Sequence, residues 1–153
     1  MYFKQILFSL FIALPFIASH SSAAMTQADS NLFVAALTGN EQIDQYISNE
    51  VSAETLGQAL YYAAQGGNLQ AVDKLLKDGV VEHIASTDFA RTFNRLVENH
   101  NLTEQTIIAI INRLFACPRA RASIVTDDVF QALARAVQAR RVQLIICLST
   151  NAA

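Results

Sequence analysis

The sequence predicts an all-α chain, a short stack of about four antiparallel helical hairpins preceded by an N-terminal hydrophobic signal helix. Three observations predict it. The composition favours helices: of 153 residues only 5 are Gly and 2 Pro, 52% are hydrophobic and 16% charged, and Ala, Leu, Ile and Gln dominate. Apolar residues recur at spacings of three and four rather than alternating. One pattern, a helix ending in small residues, a glycine turn and an apolar helix, returns along the chain. This hydrophobic fraction suffices for a core and excludes a disordered chain.

Residues 1–24, MYFKQILFSLFIALPFIASHSSAA, stand apart. Lys4 gives a short basic start, Ile6 to Ala18 an apolar run, and Ser22-Ala23-Ala24 a small-residue cleavage site, the pattern of a secretory signal. The run is well short of the roughly 20 residues that cross a bilayer as a helix, and no Cys follows it to take a lipid. Cleavage leaves residues 25–153 as one domain of a secreted or periplasmic protein. An uncleaved segment would be a membrane anchor, and translation from Met25 would give a cytosolic protein.

Without Lys4, 13 acids face the remaining 10 of 11 basic residues, and the two halves differ in sign. Residues 25–100 carry ten acids and four bases; residues 101–153 carry three acids and six arginines. Arginine is a common interface anchor. Nucleic acid is disfavoured, because the acidic half repels phosphate and no basic-aromatic interleaving is present.

The hairpins follow from one template. In ALYYAAQGGNLQAVDKLLKDG, residues 59–79, Asn68 follows the turn glycine and serves as the zero position. Leu60 lies at minus eight, Ala63 at minus five and Ala64 at minus four; Leu69, Val72, Leu75 and Leu76 form the apolar face of the second helix. The same template fits at Asn40, with Leu32, Ala35 and Ala36 before Gly39 and Ile43, Tyr46 and Ile47 after it. At Asn101 it finds Phe93, Leu96 and Val97, then Ile107 and Ile108; at Arg141 it finds Leu133, Ala136 and Val137, then Val142, Ile145 and Leu148. Small residues at minus five and minus four allow close helix packing, and a glycine before zero allows the left-handed helix end. Each hairpin can then cover its neighbour's apolar face. The core expected between hairpins includes Leu60, Ala63, Ala64, Val72, Leu75 and Leu76. The longest interval contains FACPRARASIVTDD, residues 115–128, which reads as a loop broken by Pro118 and carrying Arg119 and Arg121 outward.

The segment AAQGGNLQAVDKLLKDG resembles the core of an ankyrin repeat: Ala-Ala, a Gly-Asn turn, a Val-x-x-Leu-Leu helix and a closing Gly. The match is closest at 58–80, fair at 31–48, and weaker at 91–115 and 131–149, where His100 and Arg140 stand in for the turn glycine. The family's Thr-Pro-Leu-His opening is absent, and the zero positions are 28, 33 and 40 residues apart, against a family period of about 33. The resemblance implies an ankyrin-like solenoid over residues 25–153 that acts as a protein–protein interaction module, a monomer with a protein partner. It implies a binding face built from the first helices, here Tyr61 or Tyr62, Asn94, Arg95 and Arg135, with Arg119 and Arg121 as the next candidates.

Chemistry finds little purchase. His83 and His100 have no His or Cys at ligand spacing, so no metal site is expected. Cys117 and Cys147 read as structural thiols rather than a disulfide, because VQLIICL suits a buried Cys. No nucleophile elbow, phosphate loop or metalloprotease helix is present, so neither a cofactor nor catalysis is expected. Asp127-Asp128 reads as first-turn acids of a helix rather than a catalytic pair. A small helical ligand-binding or hydrolytic protein without a local motif, and a membrane-tethered structural protein, remain as other readings.

Overall fold

The computed structural model describes residues 26–40, 42–47 and 51–151; the expected signal segment, residues 1–24, lies outside them. The described residues form nine α-helices and no strand: α1 (Gln27–Thr38), α2 (Ile43–Tyr46), α3 (Ala53–Gln65), α4 (Leu69–Leu75), α5 (Ser86–Val97), α6 (Glu104–Ala116), α7 (Pro118–Ser123), α8 (Thr126–Gln138) and α9 (Val142–Asn151). A short 3-10 turn, Val81–His83, separates α4 from α5. No helix among the described residues is long and apolar enough to cross a membrane.

Helix starts are written in the sequence. Thr26 accepts from the backbone N–H of Asp29 while Asp29 accepts from that of Thr26; Ser52 and Thr103 accept from the amides of Thr55 and Thr106. Each satisfies an amide that the first turn leaves open. Asp128 accepts from Val125 N at 3.1 Å and closes the start of α8. The N-terminal end of α9 is served from another helix: Glu104 of α6 accepts from Leu144 N at 2.7 Å.

Helix ends follow the template more closely than its residues do. The zero-position amide reaches the carbonyl at minus five in three turns: Asn40 to Ala35 at 3.0 Å, Asn68 to Ala63 at 2.9 Å and Arg141 to Ala136 at 2.9 Å. The residue before zero is left-handed in each, with φ of 69° at Gly39, 72° at Gly67 and 55° at Arg140. Arg140 thus adopts a conformation that costs a side-chain-bearing residue about 1–2 kcal/mol. The third turn differs: His100 is not left-handed, and the Asn101 amide donates instead to the Asn99 side chain at 2.8 Å.

Helices α1 and α2, α3 and α4, α5 and α6, and α8 and α9 pair as neighbours in the chain. Between pairs, α1 packs on α3, α3 on α5 and α5 on α8; α2 packs on α4, α4 on α6 and α6 on α9. Leu60, Ala63, Ala64, Val72 and Leu75 are fully buried, while Leu76 is half-buried against the same core. Close approach is visible at Gly57 inside α3, where an added methyl would lie 1.9 Å from the Asp88 carboxylate of α5. Side chains at the turns also cross between pairs. Asn68 donates to Ala36 O and Leu37 O at the end of α1, and Asn99 donates to Gln65 O at the end of α3. Arg141 donates to Val97 O and Asn99 O at the end of α5.

The expectation of a loop over 115–128 is corrected: residues 118–123 form α7, which packs on α5 and α6. Pro118 sits in the first turn, where its missing N–H costs nothing and its fixed φ favours a helix start. Ala120 and Ile124 then anchor the segment in the core.

Candidate partner-binding surface

The exposed faces of α3, α5 and α8 hold most of the residues singled out in the sequence. On α3, successive rings point different ways. Tyr62 is half-buried against the core, 5.5 Å from the Phe33 ring of α1, and burial pushes its phenol above the ordinary range. Tyr61 stacks edge-on to Tyr62 at 5.4 Å and carries the Arg91 guanidinium of α5 5.8 Å above its ring. Such a cation over an accessible ring contributes about 0.5–1 kcal/mol. Arg91 also pairs with Asp88 at 2.9 Å. Burial raises the Asp88 carboxyl above its usual range; Arg91 opposes that and Glu54 adds to it.

One turn further along α5, a second cluster crosses to α8. Asn94 donates to Asp128 at 2.7 Å and accepts from Arg135 at 3.4 Å. Glu98 sits between two guanidiniums, 3.3 Å from Arg95 and 3.3 Å from Arg135. Arg135 also donates to Gln131. Asn94 and Arg135 therefore tie α5 to α8, whereas Arg95, with 65% of its side chain exposed, is the group freest to meet another molecule. Surface pairs of this kind contribute about 0–1 kcal/mol each, so a ligand carboxylate could replace Glu98 at little cost.

The structure thus brings Asn94, Arg95 and Arg135 into one cluster and places Tyr61 beside it through Arg91. Tyr62 faces inward. Arg119 and Arg121 lie apart on α7; Arg119 donates to Ile84 O at 3.3 Å, while Arg121 borders a separate hollow. Sequence reasoning missed Arg91 and Glu98. Both were open to a spacing argument, since Arg91 lies four residues before Arg95 and Glu98 three after it, on the same helical face.

Elsewhere, Cys117 and Cys147 are free thiols, and burial raises the Cys147 thiol against a lowering hydrogen bond from Asn151. His100 meets Arg141 at 3.0 Å, and His83 is exposed in the 3-10 turn. Among the described residues no group of three or more His, Cys, Asp or Glu could hold a metal ion. No protein-family model, curated protein or solved structure matches this chain.

Proposed function

We propose that this chain is an exported, ankyrin-like helical-repeat protein that binds another protein through the exposed face of its first helices and carries out no chemistry itself. The observation that carries the reading is the pair of contact groups, Tyr61–Arg91 and Arg95–Glu98–Arg135, set one helical turn apart on α5 and reaching α3 and α8. Tyrosine and arginine combine large contact area with directional hydrogen bonds, which is why they dominate interface energetics. The packing of α1, α3, α5 and α8 in one series and of α2, α4, α6 and α9 in another supports a repeat solenoid, as does the bond shared by three of the four turns. Export rests on the signal pattern of residues 1–24. In this reading the protein is a monomer, needs no cofactor, avoids nucleic acid, and meets a membrane only if its first segment stays attached.

Affinity capture from an extract of the source organism, with wild type and variant side by side, tests the proposal. Tyr61→Ala combined with Arg95→Ala weakens capture of the partner at least tenfold, about 1.4 kcal/mol, while the fold survives with a loss of no more than about 1–2 kcal/mol from the ring–cation contact and the Arg95–Glu98 pair. A stable double variant that captures the partner as well as wild type removes this face. Tyr62→Ala serves as the contrast and lowers the melting temperature, because its ring packs on Phe33.

A further inference from the structure

A hollow of about 180 Å³ opens where α6, α7 and α8 meet the end of α9. Phe115, Ile124, Val129 and Phe130 give it an apolar wall, while Arg121, Thr126 and Asn151 supply the polar groups. Phe130 is left 62% exposed at this site, although its neighbour Val129 is buried. Much of the lining that meets solvent is polar, and the phenylalanine rings supply its apolar part.

The guanidinium is the informative part. The chain has eight arginines after residue 25. Arg91, Arg95, Arg113 and Arg135 pair with carboxylates, and Arg119 and Arg141 donate to backbone carbonyls. Among the described residues Arg121 and Arg140 have no such partner, and of these two Arg121 lines the hollow. The Thr126 hydroxyl on the same lining is likewise uncommitted among the described residues, whereas the Asn151 amide nitrogen already donates to Cys147 O at 2.9 Å.

We infer that this hollow binds a small organic monocarboxylate, a single ring or short alkyl chain bearing one carboxyl group. The volume lies below the roughly 300–1,000 Å³ of sites for larger ligands, which excludes a nucleotide or a long lipid chain. A planar guanidinium matches a carboxylate with two parallel hydrogen bonds, Thr126 can donate to the same oxygens, and the two phenylalanines take the apolar body. The site is separate from the face of the first helices and does not depend on the partner-binding reading.

Titration of the purified protein with 3-phenylpropionate, followed by amide chemical shifts, tests it, with 3-phenylpropionamide as the uncharged counterpart. Saturable shifts confined to the end of α6, α7, the start of α8 and the end of α9 are expected for the acid, with the amide at least tenfold weaker. Arg121→Gln, an exposed change that leaves the rest of the spectrum in place, weakens the acid at least tenfold. Arg119→Gln leaves it unchanged. Equal binding of acid and amide, full binding by Arg121→Gln, or no saturable shift up to about 10 mM acid overturns the inference.

Discussion

The second and last hairpins share one template and meet different fates. In α3 and α4 the positions at minus eight, minus five and minus four, Leu60, Ala63 and Ala64, are all fully buried. In α8 and α9 the residues at the same positions are Leu133, Ala136 and Val137. Leu133 is only half-buried and Val137 is 59% exposed. Val142 and Ile146 of α9 are open as well. The difference lies in the neighbours. Helix α3 has α1 on one side and α5 on the other, whereas α8 packs on α5 alone among the first helices. An apolar pattern states which face wants cover; whether cover arrives is decided by another part of the chain.

Truncation gives the largest separation between the two hairpins. Leu60→Ala is expected to cost about 2–5 kcal/mol, the range for a large-to-small change in a closed core. Leu133→Ala, at the same template position with part of its surface already in water, should cost less than half of that. Chemical denaturation of both variants measures the gap, and equal losses would show that the last hairpin is covered as completely as the second.

Enlargement separates them next. Ala64→Leu overpacks the α3 interface and loses about 1–3 kcal/mol. Val137→Leu projects into solvent and stays within about 0.5 kcal/mol of wild type. A thermal melt of Ala64→Leu that matches wild type would contradict the close packing of α3.

The smallest effects concern the turns. Gly67→Ala puts a methyl group on a residue at φ 72°, 2.9 Å from the Leu102 side chain, and should destabilise by about 1–2 kcal/mol. Arg140→Gly makes the reverse change at φ 55°. It should lie within about 1 kcal/mol of wild type, because relief of the left-handed strain is offset by the greater freedom of glycine in the unfolded chain. Opposed or unequal shifts in melting temperature of this kind would show that the two turns share a conformation and differ in its cost.

Much of the helical arrangement could be read from local signals: the small residues at Ala35-Ala36 and Ala63-Ala64, and the glycines at 39 and 67. Where the sequence departed from the pattern, local reading failed in two distinct ways. Arg140 keeps the turn although its side chain disfavours it, because the carbonyl bonds of its neighbour Arg141 hold the segment from another helix. At the third turn a buried Asn99 replaces the missing backbone bond with its own side chain. Pro118 misled in the opposite sense, as a helix breaker by type that is a helix starter by position. Of the candidate surface, the residue types were legible and their engagement was not. Nothing local says that Asn94 is held between Asp128 and Arg135, or that Tyr62 turns toward Phe33 while Tyr61 lies beneath Arg91, since those partners stand about one hairpin away in sequence.

Three of the side chains that cross between hairpins, Asn68, Asn99 and Arg141 at the turns, bind the last carbonyls of the preceding first helix. Such a bond exists only while both neighbours are folded, so it belongs to the junction rather than to either hairpin. In the repeat reading proposed above, it adds to the coupling between neighbouring units and leaves the intrinsic stability of each unit alone. Fraying that starts at the open α8–α9 end must break the Arg141 links before it reaches α5, and then the Asn99 link before it reaches α3. Amide exchange should therefore slow stepwise from the last hairpin inward, with each step set by a junction.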